Sequence, residues 1–107
     1  MVMGASGFFG GHIARKFLKE GFEVHLITTS NSSFSNLNDV KVDTHIHSIH
    51  ELTEADLNGI DYFVHAGIPY QLYTLNWREK WEKERTELIR LLETLKRSKV
   101  KKSIFIS

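Results

Sequence analysis

Apolar residues follow two patterns along this chain, and the two patterns alternate. Short apolar runs rich in β-branched residues indicate buried strands at residues 1–3, 22–29, 40–49, 60–68 and 102–107. Helical spacing of apolar residues, with charged residues between them, follows the first run at Ile13, Ala14, Phe17 and Leu18. A short helix is predicted over residues 53–58 and a long one over 74–97, whereas the polar stretch 30–39 is predicted as a loop.

Helix boundaries and faces are also indicated by the sequence. Gly21 and Gly59 each follow a predicted helix, where a left-handed residue commonly ends it, and Thr53 is a suitable N-cap. In the long helix, one stripe is predicted to cover the core: Trp77, Trp81, Leu88, Leu91, Leu92 and Leu95. The charged run around the tryptophans, WREKWEKER, is predicted to be the solvated face.

The alternation of strands and helices predicts the fold class. Strands separated by helical connections favour an α/β protein whose parallel sheet is covered on both faces. We predict a three-layer sandwich with five parallel strands in the order 3-2-1-4-5. Residues 1–107 fit a single domain, and no internal repeat divides them.

Composition excludes several classes of protein. The chain has 41% hydrophobic and 25% charged residues and a net charge of +1, so neither nucleic acid nor a membrane is expected as a partner. It contains no cysteine, which excludes disulfides and cysteine-ligated metals. Without a secretory signal or a long apolar stretch, the expected location is the cytoplasm.

Three glycines between the first strand and the first helix carry the candidate chemistry. In a parallel sheet, ligands bind beyond the carboxyl ends of the strands, where the strand order reverses. Gly4 would allow a sharp turn, Gly7 would let backbone approach a pyrophosphate, and Gly10 would let the helix pack closely on the sheet. The N–H groups that begin the helix would then hold the phosphates. The alternative is a flexible turn without a ligand.

The motif, with its G-x-x-G-x-x-G spacing, resembles a known family. The stretch VMGASGFFGGHIARKFLKEGFEV resembles the opening of the extended short-chain dehydrogenase/reductase family, the NAD(P)-dependent epimerases, dehydratases and reductases. LNGIDYFVHAG and KVKKSIFIS are similar to the regions of that family's fourth and fifth strands. The resemblance implies a Rossmann-type domain that binds a dinucleotide.

The resemblance also implies which residues contact the cofactor. Gly4, Gly7 and Gly10 would hold the pyrophosphate, with backbone contacts from Ser6, Phe8 and Phe9. His45 and Ile46 would lie beside the adenine, and Ala66 and Gly67 beside a ribose. The second strand ends near the other ribose at Thr28 and Thr29.

The residue at the end of the second strand bears on the choice of cofactor. NAD-binding members usually have an acidic residue there, but this chain has Thr28. No carboxylate repels a 2′-phosphate and no neighbouring arginine binds one, so NADP is slightly favoured over NAD. Arg15 and Lys16 are distant candidates for the missing cation.

Catalytic residues are not predicted within this chain. The family's catalysis uses a tyrosine followed four residues later by a lysine, and none of Tyr62, Tyr70 and Tyr73 has one. We therefore expect the cofactor half of a larger oxidoreductase, epimerase or dehydratase acting on a sugar nucleotide or a ketone, clipped at both ends. Self-association through the uncovered sheet edge and the long helix is expected. The alternative is a non-catalytic module that senses the cofactor or binds another protein.

The histidines suggest a second, weaker hypothesis. His45, His47 and His50 are close in sequence, but no cysteine or carboxylate completes an evident set of zinc ligands. We predict no metal site. His65 is predicted to be a buried, hydrogen-bonded residue rather than a base.

Overall fold

A parallel sheet organises the chain. The computed structural model describes residues 1–28, 37, 39, 42–46, 49–67 and 76–106. The strands are β1 (Val2–Met3), β2 (His25–Thr28), β3 (Asp43–Ile46), β4 (Tyr62–His65) and β5 (Lys102–Phe105). The helices are α1 (Phe8–Lys19) and α2 (Trp77–Arg97), and 3₁₀ turns occur at Ile49–Glu51 and Ala55–Leu57.

The strand order places β1 in the interior of the sheet. The strands lie in the order β3-β2-β1-β4-β5, with β3 paired to the outer edge of β2. All pairings are parallel, and Val2 lies opposite both Leu26 and Val64. The predicted α/β class with a parallel sheet is confirmed.

Alternation along the central strands produces two cores, one on each face of the sheet. Met1, Ile27 and Phe63 face one side, where they pack with Leu91 and Leu95 of α2. On the opposite face, the core of α1 and the adjoining strands contains Val2, Ala14, Val24, Leu26 and Val64. Because successive strand residues point to opposite faces, the near-continuous apolar runs supply both cores at once.

The end of α1 shows how local sequence fixes an element. Gly21 has φ 87°, and its N–H donates to the Leu18 carbonyl at 3.1 Å. The Phe22 N–H donates to the Phe17 carbonyl at 3.0 Å, and the two phenyl rings meet edge to face with centroids 5.1 Å apart. This is a Schellman motif with its apolar contact, which confirms the predicted helix end at Gly21.

The predicted short helix is a single 3₁₀ turn. The Asp56 carboxylate accepts from both the backbone N–H of Thr53, at 2.8 Å, and its hydroxyl, at 2.9 Å. Gly59 follows the turn with φ 77°. Three residues are too few to propagate an α-helix, and the predicted N-cap is wrong, because Glu54 is the N-cap while the Thr53 hydroxyl binds Asp56.

The apolar stripe of α2 is only partly buried, so the prediction that both tryptophans cover the core is wrong. Leu91 and Leu95 are buried, whereas Trp77 and Trp81 are 50% and 53% exposed. The helix has 21 residues, about 31 Å at 1.5 Å per residue, and only its last turns reach the core of the sheet. Leu88 and Leu92 are also exposed.

Two further predictions concern residues that are only partly described. The predicted loop 30–39 lies outside the described residues except for Leu37, which is buried, and Asp39. Residues 74 and 75, at the predicted start of the long helix, also lie outside them. Among the described residues, no helix is long and apolar enough to cross a membrane.

Candidate dinucleotide-binding site

The candidate site lies beside β1, where the β1–β2 connection and the β3–β4 connection run on opposite faces of the sheet. β1 lies between β2 and β4, and its connection to β2 runs through α1 on one face. The connection from β3 to β4 includes both 3₁₀ turns, and its residues Ile49, Leu52 and Leu57 pack on the other face. The carboxyl ends of β1 and β4 therefore border the crevice in which α/β proteins bind ligands.

Gly4 makes the turn out of β1 in contact with the end of β4. Its φ is 84°, in the left-handed region, which confirms the predicted sharp turn. A Cβ at Gly4 would lie 2.6 Å from the Gly67 nitrogen and 2.7 Å from the Ala66 carbonyl carbon. The backbones at the ends of β1 and β4 are therefore too close for a side chain at Gly4.

Gly10 brings α1 against the same turn. A Cβ there would lie 2.1 Å from the Gly4 carbonyl oxygen and 2.9 Å from the Ala5 nitrogen. The predicted close packing of the helix on the strand is therefore confirmed. Ala5 and Gly11 are also buried at this turn. They were not among the predicted site residues, although their small side chains indicate close packing.

Gly7 differs from the other two glycines because its surroundings are open. It is exposed, its φ of −85° suits any residue, and a Cβ would meet only the Gly4 oxygen, at 3.3 Å. Its N–H donates to that oxygen at 3.0 Å. A side chain at this position would therefore be crowded by one backbone oxygen only, and the exposed side of Gly7 leaves space for a ligand beside the backbone.

The start of α1 presents unpaired helix donors. Gly7 is the N-cap and provides no side-chain cap, and the first turn contains no acidic residue. The first intrahelical bond runs from the Gly11 N–H to the Gly7 oxygen at 2.9 Å, so the N–H groups of Phe8, Phe9 and Gly10 have no partner within the helix. Together with the positive end of the helix dipole, these donors suit an anion.

Aromatic side chains surround the start of the helix. Phe8 and Phe9 are 74% and 66% exposed, with ring centroids 5.5 Å apart. The Phe8 ring also meets the His12 ring edge to face at 4.6 Å. Ser6 is exposed in the preceding turn.

The remaining predicted residues follow the adjacent strand ends. Ile46 lies opposite Thr28 at the carboxyl ends of β3 and β2, and His45 lies opposite Ile27. The backbone thus brings these residues to the same edge of the sheet as Gly4. Thr29 lies outside the described residues, as does His47 of the histidine cluster. In the described part of the chain, no group of three histidine or acidic residues is arranged to hold a metal.

At the end of β4, His65 and Ala66 adjoin the glycine turn. The Ala66 N–H donates to the Met3 oxygen at 2.9 Å, which ties β4 to β1 beside Gly4. The His65 ring is half-buried and stacks on Phe105 with centroids 5.3 Å apart. Burial lowers the pKa of His65 below its ordinary value of 6.5, and a backbone hydrogen bond offsets part of this change.

The two cations considered for a 2′-phosphate have partners on the surface of α1. The Arg15 guanidinium pairs with both oxygens of Asp39, in the connection between β2 and β3. Lys16 binds Glu20, one turn further along the helix, at 2.7 Å. The contact between Arg15 and Asp39 was not foreseen, because 24 residues separate them.

Comparison with known families agrees with this geometry. The sequence profile of the NAD-dependent epimerase/dehydratase family matches residues 1–107. This chain belongs to that family. Its members use a nicotinamide dinucleotide, and the glycine turn and open helix start described above suit the pyrophosphate of such a cofactor. No protein of curated function matches the chain.

Three solved structures resemble this member of the epimerase/dehydratase family. UDP-glucose 4-epimerase of Thermotoga maritima, crystallised with UDP-glucose, is 26% identical with a TM-score of 0.77. The protein gox2253 is 25% identical with a TM-score of 0.76, and a Lactobacillus casei protein is 27% identical with a TM-score of 0.68. Each match covers 97% of this chain but only 36%, 32% and 45% of those chains, respectively. This family member thus spans 32% to 45% of their length.

Alanine substitutions should separate the roles of two glycines. Gly10→Ala should lower the free energy of unfolding by about 2 kcal/mol, because overpacking against backbone outweighs the better helix propensity of alanine. Gly7→Ala should cost less, about 1 kcal/mol, because its Cβ meets one backbone oxygen at 3.3 Å instead of several atoms under 3 Å. Urea denaturation of the two variants measures the difference. Equal losses would contradict the close contact between Gly10 and Gly4.

The environment of His65 predicts a dependence of stability on pH. Because its folded pKa is lowered, the folded state binds fewer protons than the unfolded state below about pH 6.5. Its contribution is therefore complete above pH 6.5 and is lost progressively as the pH falls below that value. His65→Gln should make the melting temperature depend less steeply on pH. Thermal melts between about pH 5 and 7.5, the range in which histidines ordinarily titrate, measure this dependence. His12→Gln, at an exposed histidine, is the matched control, and equal slopes for wild type and His65→Gln would refute the assignment.

Proposed function

We propose that this chain is the NAD(P)-binding portion of an oxidoreductase, epimerase or dehydratase. The observation that carries the proposal is the contact of Gly4 with both Gly67 and Gly10 at the carboxyl edge of the sheet. That contact excludes side chains from the turn and leaves the N–H groups at the start of α1 facing a space bordered by Gly7. A dinucleotide pyrophosphate is the ligand that this combination fits best.

The residues of the crevice are assigned by their place along the sheet edge. The pyrophosphate lies over Gly7, with N–H groups from the first turn of α1 directed toward it. One ribose lies at the end of β2, the adenine beside the end of β3, and the second ribose beside the end of β4. The proposed contact residues are Gly4, Ser6, Gly7, Phe8, Phe9, Gly10, Thr28, Thr29, His45, Ile46, Ala66 and Gly67.

We favour NADP slightly over NAD. The support is the absence of an acidic residue at Thr28, where a carboxylate would accept hydrogen bonds from the ribose and repel a 2′-phosphate. Neither Arg15 nor Lys16 is assigned to the phosphate, because each has an acidic partner on the surface of α1.

The chemistry of the family is hydride transfer, which the nicotinamide supplies when it is bound. The residues of this chain bind and orient the cofactor, and none of them is assigned a proton-transfer step. The substrate class we propose for the whole enzyme is a sugar nucleotide or a ketone. The Thermotoga maritima relative, an epimerase crystallised with UDP-glucose, supports the first of these.

The second candidate function is a module that senses NAD(P) or binds another protein without catalysis. It is favoured by the exposure of Trp77 and Trp81 on α2, which would serve as the contact surface for a partner or a second copy. Turnover with a sugar nucleotide by the full-length protein distinguishes the enzyme from the module. In either role, we place the protein in the cytoplasm.

Cofactor binding is tested by Gly7→Val. A branched side chain over the start of α1 would occupy the place of the pyrophosphate, so the affinity for NADPH and NADH should fall at least about tenfold, equivalent to about 1.4 kcal/mol. Because Gly7 is exposed and its Cβ would meet only the Gly4 oxygen, the variant should stay folded. Titration followed by nucleotide fluorescence measures the affinity, and circular dichroism checks the fold. Wild-type affinity in the folded variant would rule out the phosphate role.

Cofactor preference is tested by Thr28→Asp. The new carboxylate should shift the ratio of the NADPH and NADH dissociation constants toward NADH by about tenfold, through ribose hydrogen bonds and repulsion of the 2′-phosphate. Thr28→Asn, which resembles aspartate in size but is neutral, controls for shape. An unchanged ratio in Thr28→Asp would show that β2 does not end beside the ribose.

A further inference from the structure

The edge strand β3 is supported on one side only, although the site proposed above places the adenine at its carboxyl end. Among the described residues, β3 pairs with β2 alone, from His25 opposite Asp43 to Thr28 opposite Ile46. A strand with one hydrogen-bonded neighbour opens more readily than an interior strand, so its position depends more on contacts outside the sheet.

The segment that precedes β3 makes such contacts with α1. Leu37 is buried and Val42 is partly buried in the core that contains Ala14 of α1. Asp39 lies between them in sequence and pairs with Arg15, which follows Ala14. Two apolar contacts and one ion pair therefore attach the chain to the helix immediately before β3 begins.

The ion pair fixes orientation as well as proximity. The two terminal nitrogens of the Arg15 guanidinium donate to the two carboxylate oxygens of Asp39, one of them at 3.1 Å. Paired bonds of this kind restrict the carboxylate in distance and in angle. The same hydrogen bonding holds the pKa of the Asp39 carboxyl below its ordinary value, so the carboxylate stays charged at neutral pH.

The helix relates this ion pair to the glycine turn. α1 is placed by the close contact of Gly10 with Gly4, and Arg15 lies five residues further along, about 7.5 Å at the helical rise. Asp39 precedes Asp43, where β3 begins, by four residues, which span at most about 14 Å. A rigid element and a short length of chain thus connect the pyrophosphate end of the crevice with β3, outside the hydrogen bonds of the sheet.

We propose that Arg15 and Asp39 are positioning residues for the adenosine half of the cofactor. Their pairing holds β3 against α1, so that its carboxyl end, at His45 and Ile46, is in place when the adenine binds. Neither residue contacts the cofactor. This inference rests on the proposed function, and it assigns Arg15 a role other than binding a 2′-phosphate.

The strength of an exposed ion pair limits the size of the effect. A ligand that requires an ordered strand loses affinity only in proportion to the fraction of molecules in which that strand is ordered. Exposed pairs change such an equilibrium by up to about fivefold. Loss of the pair should therefore weaken binding by about threefold to fivefold, whereas loss of a direct phosphate contact would weaken it more.

The experiment exchanges the two charges. Arg15→Asp should weaken the binding of ADP-ribose about threefold to fivefold more than Lys16→Asp, which makes the same change of charge one residue further along α1. Arg15→Asp combined with Asp39→Arg restores opposite charges and should return the affinity to within about twofold of the wild type. Titration calorimetry measures the affinities. Equal affinities in the two single variants, or no recovery in the double variant, would overturn the proposal.

A second ligand distinguishes positioning from general destabilisation. Nicotinamide mononucleotide lacks the adenosine half, so its affinity should be the same in Arg15→Asp and Lys16→Asp. A destabilised fold would weaken both ligands equally. Equal losses for ADP-ribose and nicotinamide mononucleotide would therefore also contradict the proposal.

Hydrogen exchange of the ligand-free chain separates this inference from the proposed function. The amides of β3, Asp43–Ile46, should exchange about threefold faster in Arg15→Asp and at the wild-type rate in Lys16→Asp. A wild type that binds neither ADP-ribose nor NADPH would overturn the proposed function, and with it the role in positioning adenosine, even if the exchange rates change as expected. A wild type that binds both, with unchanged exchange in Arg15→Asp, would overturn this inference alone.

Discussion

The contact between the Gly4 turn and the backbone at Gly67 is the constraint on which the rest of the structure depends. β1 lies in the interior of the sheet, and its carboxyl end must leave the sheet while touching the end of β4. Only a residue without a Cβ, in the left-handed region, makes that turn without a clash. Gly10 then brings α1 onto the same turn. The backbones of α1, the Gly4 turn and the end of β4 therefore pack so closely that no Cβ fits between them.

This packing produces the properties of the candidate site. Because the helix begins directly against the strand end, its unpaired N–H groups lie at the edge of the sheet rather than over the core. The helix dipole adds a positive potential there, and no acidic residue in the first turn opposes it. Gly7 contributes differently, since it supports no packing and instead leaves the approach to these donors open.

The two ends of β1 are stabilised unequally. At its carboxyl end, β1 is fixed by the glycine contacts and by the bond from Ala66 to Met3. At its amino end, β1 is held less closely, by hydrogen bonds to β4 from the Met1 amino group to the Tyr62 oxygen at 2.7 Å and from the Val64 N–H to the Met1 oxygen at 2.9 Å. The exposed part of α2 is a second such region, because only its last turns contact the sheet. Both regions lie outside the glycine turn, so the geometry of the candidate site does not depend directly on them.

The amino-acid sequence by itself determined the α/β class, the alternation of strands with helical connections and the glycine turn after β1. Alternation of apolar runs with helical spacing predicted the parallel sheet, and Gly4, Gly21 and Gly59 marked turns because a positive φ is a local backbone property. Tertiary structure alone decided which part of an apolar stripe is buried: Leu95 is covered and Trp77 is not, although both lie on the same side of α2. It also decided the pairing of Arg15 with Asp39, which leaves no periodic signal. Local propensity and spacing act within a few residues, whereas burial depends on which distant segments reach a given surface.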